Sequence, residues 1–271
     1  MRFEIEGGQL AVAASIAHPE NQHPRYRNGP EYPISNETYS SMTVNKLCAL
    51  RGIDRYIGIC GGGNQNLFLC NMLQNSNDIH TATLVDVSPN QLSNFFRISD
   101  MYCKSNTSDE FVQKLEYWLG QNDQKPHIDR PDLAPFCYKP TMTHGTTFDL
   151  VENSIGAYLE GFAVPGKHFV YLSNALLYGS LNNPREVLSS IQKNKSFEEG
   201  TTLMAVDNNL TSTYFLTKDN GGFSVSTEYG KESVRMDAEE FSPYGYIESS
   251  IWERFAVDPL VDKFVGSFIR T

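Results

Sequence analysis

A run of glycines and a carboxylate 23 residues beyond it carry the clearest chemistry in this chain: Gly58-Ile59-Cys60-Gly61-Gly62-Gly63-Asn64 and, further on, Asp86. Consecutive glycines leave the backbone bare of Cβ atoms, so a ligand can approach the main chain closely. A helix starting directly after them offers unpaired N–H groups in its first turn. An acid at the tip of the next parallel strand can accept hydrogen bonds from two ribose hydroxyls. In that order the residues describe a nucleoside-type cofactor lying across the carboxyl ends of strands. The plainer reading of the same residues is a tight turn, with Asp86 capping the helix that begins near Asn90. Two familiar nucleotide grips are excluded. Asn64-Gln65-Asn66 follows the glycines, so the third glycine of G-x-G-x-x-G is missing, and no G-x-x-x-x-G-K-[ST] occurs.

The elements needed to position these residues can be read on either side of them. Arg55 to Cys60 is a short apolar strand, and Leu67, Phe68, Cys70, Met72 and Leu73 fall on a helical period. Thr81 to Val85 is a second strand ending at Asp86, and Ser88-Pro89 opens a helix through Tyr102. Strand, glycine turn, helix, strand, acid, helix is a βαβα unit. Beyond it the pattern predicts a helix around Phe111–Leu119, another over Val151–Phe162, a strand over His168–Leu172, a helix over Pro184–Lys193 and a strand over Thr202–Val206. Ser212–Leu216 and Phe223–Thr227 flank Lys218-Asp219-Asn220-Gly221-Gly222, a hairpin signal. Ahead of the unit, a helix from Ser40 or Ser41 runs to Leu50 and is ended by Gly52. The first forty residues, broken by Pro19, Pro24, Pro30 and Pro33, read as irregular. In the tail from Gly230 to Thr271, Glu248, Trp252 and Phe255 share one helical face, but no decisive pattern emerges.

Composition narrows the partners. The chain has 271 residues, 40% of them apolar, which is enough for a real core. Lys and Arg total 22 against 32 Asp and Glu, a net charge of −10 that disfavours long nucleic acid. Residues 1–55 hold six bases and six acids, so the whole deficit lies downstream and an anionic partner should prefer the front. Five scattered cysteines with no C-x-x-C pair predict neither a zinc site nor a disulfide framework, and no metal is expected. No signal-peptide stretch, membrane-length apolar run or basic amphipathic helix is present, so the expectation is a cytoplasmic protein that does not engage a membrane.

The glycine motif Ile57-Gly58-Ile59-Cys60-Gly61-Gly62-Gly63, with Leu84-Val85-Asp86-Val87-Ser88 after it, resembles the S-adenosylmethionine-dependent methyltransferase superfamily. The resemblance covers residues 55–227. It implies an α/β fold with a Rossmann-like seven-stranded sheet, an N-terminal extension and a C-terminal hairpin. In domain terms, residues 1–54 would be a cap or acceptor segment and residues 55–271 a single S-adenosylmethionine-binding domain. By the same resemblance Gly61 and Gly63 underlie the methionine moiety and Asp86 holds the ribose. Gly62, Asn64, Val87 and Ser173 complete the implied cofactor set.

Within that superfamily, Tyr171-Leu172-Ser173-Asn174 stands where amine methyltransferases often carry an Asn/Asp-Pro-Pro-Tyr/Phe turn, which this chain lacks. The tetrad is similar to the branch that transfers the 3-amino-3-carboxypropyl arm, which includes betaine-lipid, nicotianamine and discadenine synthases and the tailoring enzyme of microcin C. The plainer reading is a polar strand end satisfying its own loop. Arm transfer and methyl transfer share one logic: the carbon that reacts is the one in line with the acceptor, held ~3–3.5 Å away. The residues expected to act are Ser173, Asn174 and Tyr178 at the methionine arm, with Asp207 as a base. Asp149 is a lesser candidate for the base, and a lone loop histidine, His144, a weaker one. Arg25, Tyr26 and Arg27 suit a phosphate with a stacked base, so the expected acceptor is a small polar molecule, a nucleotide or peptidyl-nucleotide. Methylation of a small molecule is the alternative. A non-catalytic partner protein of the same fold is the second, and a homodimer or an accessory partner fits either.

Overall fold

The computed structural model describes residues 1–6, 9–14, 39–61, 63–121, 145–173, 184–206, 213–227 and 234–236. They carry ten strands and six helices in a mixed α/β arrangement, so the α/β class holds, with more strands than the seven expected. Two compact units divide the chain. One is built on Tyr56–Asn153 with the N-terminal strands, and the other on Ser154 onward with Tyr39–Lys46 and Gly52–Arg55.

The first unit is a Rossmann-type half. Strands β3 (Arg55–Ile59), β4 (Thr81–Asp86) and β5 (Thr146–Glu152) run parallel in that order. Strand β1 (Arg2–Glu6) pairs antiparallel with β5, and β2 (Gln9–Ala14) pairs antiparallel with β1. The opening segment is therefore not irregular throughout. Phe3 and Ile5 are fully buried between the more exposed Arg2, Glu4 and Glu6, the period of two that a half-buried strand needs. Glu6 pairs with Gln9 at the close of the β1–β2 ladder.

Helices α2 (Gly63–Gln74), α3 (Pro89–Cys103) and α4 (Ser108–Gln121) complete this unit. Phe95 and Phe96 of α3 meet Phe3 of β1 and Phe148 of β5 in one aromatic cluster, with ring centroids 5.2–5.9 Å apart. Along α4, Phe111, Leu115 and Leu119 recur every four residues and bury one stripe. The expected helix over Val151–Phe162 is corrected. Thr146, Phe148 and Leu150 alternate inward, which makes β5. Only Ile155–Glu160 is helical (α5, in the second unit), capped by Ser154, whose Oγ accepts from the Ala157 N–H.

In the second unit β6 (His168–Ser173) and β7 (Thr202–Val206) are parallel. Strands β8 (Thr213–Asp219), β9 (Gly222–Thr227) and β10 (Val234–Met236) then follow as an antiparallel meander. The expected hairpin is β8–β9, closed by Asn220-Gly221 with Gly221 at φ +89°. Registers align Tyr171, Met204, Phe215 and Ser226 in one row across four strands. Helix α1 (Ser41–Ala49) lies against that row: the Tyr39 hydroxyl is 3.4 Å from that of Tyr171, and Lys46 reaches Ser226 Oγ at 2.7 Å while sitting over the Phe215 ring. Helix α6 (Pro184–Lys193) buries Val187, Leu188 and Ile191. Its end is held by Lys218 Nζ, which donates to the carbonyls of Ile191, Asn194 and Phe197.

Candidate cofactor site

The end of β3 is prolonged beyond its last paired residue, because the Cys60 N–H donates to the Val85 carbonyl at 3.2 Å. The chain then bends at Gly61, and α2 starts at Gly63 with Asn64 in its first turn. Among the described residues a Cβ built on Gly61 would find only Gln91 Nε2, at 4.0 Å, so they leave the face above this glycine open. Gly58, in the middle of β3, is the opposite case. A Cβ there would lie 2.6 Å from Asn66 Oδ1 and 2.8–2.9 Å from the Tyr56 ring and hydroxyl.

Asp86 ends β4, and its position is fixed on both sides. Its carbonyl accepts the Asn153 N–H at 3.0 Å, and its Oδ1 accepts the Ser88 N–H at 2.8 Å. Ser88 in turn caps α3, with Pro89 in the first turn. Among the described residues the Asp86 carboxylate has no cationic partner, only backbone N–H donors. Burial pushes its pKa up to about 6, against which the amides of Ser88 and Val87 pull downward. Cys60 lies beside it with its Sγ donating to the Gln91 carbonyl at 3.4 Å. Burial first, and then the Asp86 charge, hold this thiol well above its ordinary range, so it stays protonated and is no nucleophile.

The structure thus brings Gly61, Asp86 and Val87 to one edge of the first unit, and sets beside them a residue that the motif did not name. Gln91 is buried, its Nε2 faces Gly61 and its Oε1 lies 3.5 Å from Asn94 Nδ2. Ser88-Pro89-Asn90-Gln91 has the S-x-x-Q spacing of a capping box, which was the signal available for it. In that motif the glutamine would reach back to the Ser88 N–H; here this N–H donates to Asp86. Tyr56 and Asn66 were also missed. Their side chains sit behind the glycine turn, and a tyrosine within a strand reads simply as core.

Ser173 ends β6 in the second unit. Its φ of +52° makes it the one non-glycine with positive φ among the described residues, and the β6–β7 register shifts between Tyr171 and Ser173. The Asp149 candidacy is corrected. Its carboxylate is forked by the Arg2 guanidinium, with Nη2 3.0 Å from Oδ2 and Nε on Oδ1, which leaves no free base. Gly62, Asn174, Tyr178, Asp207, Arg25, Tyr26, Arg27 and His144, together with Glu248, Trp252 and Phe255, lie outside the described residues. No cluster of His, Cys, Asp and Glu among the described residues could hold a metal ion, and no described helix is long and apolar enough to cross a membrane.

No protein-family profile and no curated protein matches the chain. Among the solved structures that resemble it are several described as methyltransferases. An S-adenosylmethionine-dependent methyltransferase from Aquifex aeolicus is 11% identical with a TM-score of 0.31, covering 60% of this chain and 61% of its own. A provisionally assigned methyltransferase from Bacillus halodurans is 12% identical with a TM-score of 0.32, covering 63% and 52%. A provisionally assigned rRNA-methylase from Clostridium thermocellum is also 12% identical with a TM-score of 0.32, covering 64% and 71%. The chain spans less than two thirds of the length of the first two. Likeness at this distance identifies neither a family nor an activity.

Proposed function

We propose that the protein is an S-adenosylmethionine-dependent transferase whose cofactor lies over Gly61, with its ribose held by Asp86. The observation that carries this reading is an open glycine and a desolvated carboxylate at the ends of two adjacent parallel strands. A ribose diol suits that carboxylate: it donates two hydrogen bonds to an acceptor that is short of solvent and of cationic partners. The missing Cβ at Gly61 suits close approach of the rest of the molecule. Gln91 adds an amide beside the same glycine.

Bound there, S-adenosylmethionine would supply a carbon activated by its sulfonium centre. The chain's own part is to bind, orient and exclude water, and no protein nucleophile is required; Cys60 in particular is held as a neutral thiol. The finer reading is transfer of the 3-amino-3-carboxypropyl arm to a small polar acceptor, a nucleotide or peptidyl-nucleotide. Ser173, Asn174 and Tyr178 would then grip the arm's amine and carboxylate, and Asp207 would take the acceptor proton. Arg25, Tyr26 and Arg27, within an acceptor segment of residues 1–54, would receive the acceptor. Support for Ser173 comes from its left-handed backbone at a strand end, since such strain persists where the surroundings enforce it and often marks a site.

The test is to incubate the protein with S-adenosylmethionine and nucleotide acceptors and to identify the by-product. Methylthioadenosine is the expected product of arm transfer. S-adenosylhomocysteine would replace that reading with methylation, and failure to bind S-adenosylmethionine in a calorimetric titration would remove the transferase reading altogether.

A further inference from the structure

The connection from β3 to α2 contains three consecutive glycines, the residues with the most backbone freedom to lose on ordering. Nothing intrinsic to Gly61-Gly62-Gly63 selects one path for it. Whatever fixes the path must therefore hold its two ends, and the structure has a device that does so. Asn66, in the first turns of α2, donates from Nδ2 to the Ile59 carbonyl at 3.1 Å, bridging from the helix back to the last residue of β3. Its Oδ1 accepts the Tyr56 hydroxyl at 2.6 Å. Tyr56 reaches it by lying over Gly58, two residues along the same face of β3, where any Cβ would collide with both partners. Both side chains are fully buried.

We infer that Tyr56, Gly58 and Asn66 form a staple that sets the shape of the glycine turn for the cofactor, so that Tyr56 and Asn66 are positioning residues for S-adenosylmethionine binding. The inference rests on the function proposed above. Its physical content is division of labour. Gly61 and its neighbours stay without side chains so that the ligand can come close, and rigidity is supplied from behind. The two ends of the Asn66 amide act differently. Nδ2 fixes the strand-to-helix distance, and Oδ1 is held so that the amide cannot turn over. A hydrophobic residue at either position would fill the space but would not span the turn. The staple acts on the free protein, so part of the ordering that binding would otherwise require is already done, which raises affinity.

The experiment is a calorimetric titration of S-adenosylmethionine into the wild-type chain, Tyr56→Phe, Asn66→Ala and the double variant, with hydrogen exchange recorded on each ligand-free protein. Tyr56→Phe keeps the ring in the core and removes only the hydroxyl. It is expected to raise the dissociation constant about tenfold. Exchange should speed up at the amides of residues 67–70, the first that α2 pairs internally, while those of β4 and α3 keep their protection. The double variant should bind about as weakly as the weaker single one, because two residues of one device do not contribute independently. Wild-type affinity in Tyr56→Phe overturns the staple and leaves the cofactor reading standing. Losses that multiply in the double variant, or exchange that rises uniformly across the unit, also overturn it. A wild-type chain that does not bind S-adenosylmethionine overturns the cofactor reading, and the staple with it.

Discussion

Adding one methyl group at each of two glycines separates the fold from the site. At Gly61 an alanine is permitted by the backbone, since this residue is not among the positive-φ glycines, and by the space the described residues leave, since its nearest neighbour among them would be Gln91 Nε2 at 4.0 Å. Replacing glycine by alanine where the conformation is compatible restricts the unfolded chain and stabilises by ~0.4–1 kcal/mol. Gly61→Ala should therefore fold as well as the wild type or slightly better. Under the proposed function the same methyl stands on the face that the cofactor approaches, and a loss of at least tenfold in affinity, ~1.4 kcal/mol, is expected.

Gly58→Ala should behave in the reverse order. Its Cβ would sit 2.6 Å from Asn66 Oδ1 and 2.8 Å from the Tyr56 ring, and neither is the loose end of an exposed side chain. Overpacking of this kind costs ~1–3 kcal/mol. For a chain of this size that lowers the melting midpoint by roughly 2–4 °C per kcal/mol. Urea unfolding supplies the stability of both variants, and titration with S-adenosylmethionine supplies the affinity. Gly61→Ala binding the cofactor as tightly as the wild type would refute the assignment of its open face to the ligand. A Gly61→Ala protein that loses stability like Gly58→Ala would refute the geometry on which the assignment stands.

Three further outcomes follow from the same structure. Asp86 has a folded pKa of about 6 against 3.8 for the free side chain, so its ionised form opposes folding. About two units at ~1.36 kcal/mol each is a cost of up to about 3 kcal/mol at pH 7, which fades as pH falls from 6 towards 4. Asp86→Asn should thus be more stable than the wild type at pH 7, equal to it near pH 4, and weaker in cofactor binding; parallel pH–stability curves would contradict this. His168 is enclosed by Phe162 and Phe197 with its Nε2 against the Val164 and Ser196 carbonyls, and burial lowers its pKa from 6.5. Its neutral form therefore supports the fold above pH 6.5, and that support is lost as pH falls through 6.5 towards the lower folded value. His168→Gln should flatten this limb of the urea midpoint against pH, and an unchanged limb would assign it to other groups. Ser173→Gly should raise the unfolding free energy by ~1 kcal/mol, because glycine adopts the left-handed region without the Cβ clash; a fall would mean that the hydroxyl contributes more than the strain costs.

The legible parts of the fold are those with local causes. Ser88-Pro89 at the start of α3, the Asn220-Gly221 turn and the apolar run of β6 each depend on residues within a few positions of one another, and each forms where the pattern predicts. Strand β5 hides behind a helical pattern, because Val151 to Phe162 contains apolar residues at helical spacing. What decides it is Phe148, which needs the ring of Phe3 from the other end of the unit, 5.4 Å away. The N-terminal hairpin is hidden for a related reason. Prolines from position 19 onward mark the whole segment as irregular, yet its first six residues alternate cleanly and pair with β5.

The same division runs through the candidate site, and it has a physical origin. Glycines and an acid at strand ends are visible in sequence because their use depends on what they lack or on their charge, which no neighbour needs to supply. Tyr56 and Asn66 are invisible because a buried tyrosine and a helical asparagine acquire a role only when β3 and α2 bring a hydroxyl and an amide within 2.6 Å. A turn bare enough to admit a ligand is also too flexible to keep its shape, so the groups that shape it must stand one layer behind, on the elements that the turn connects. Sequence motifs of this kind therefore mark the surface that meets the ligand. The residues that make that surface rigid come from the packing beneath it: here the strand face that carries Tyr56 across Gly58 to the first turns of α2.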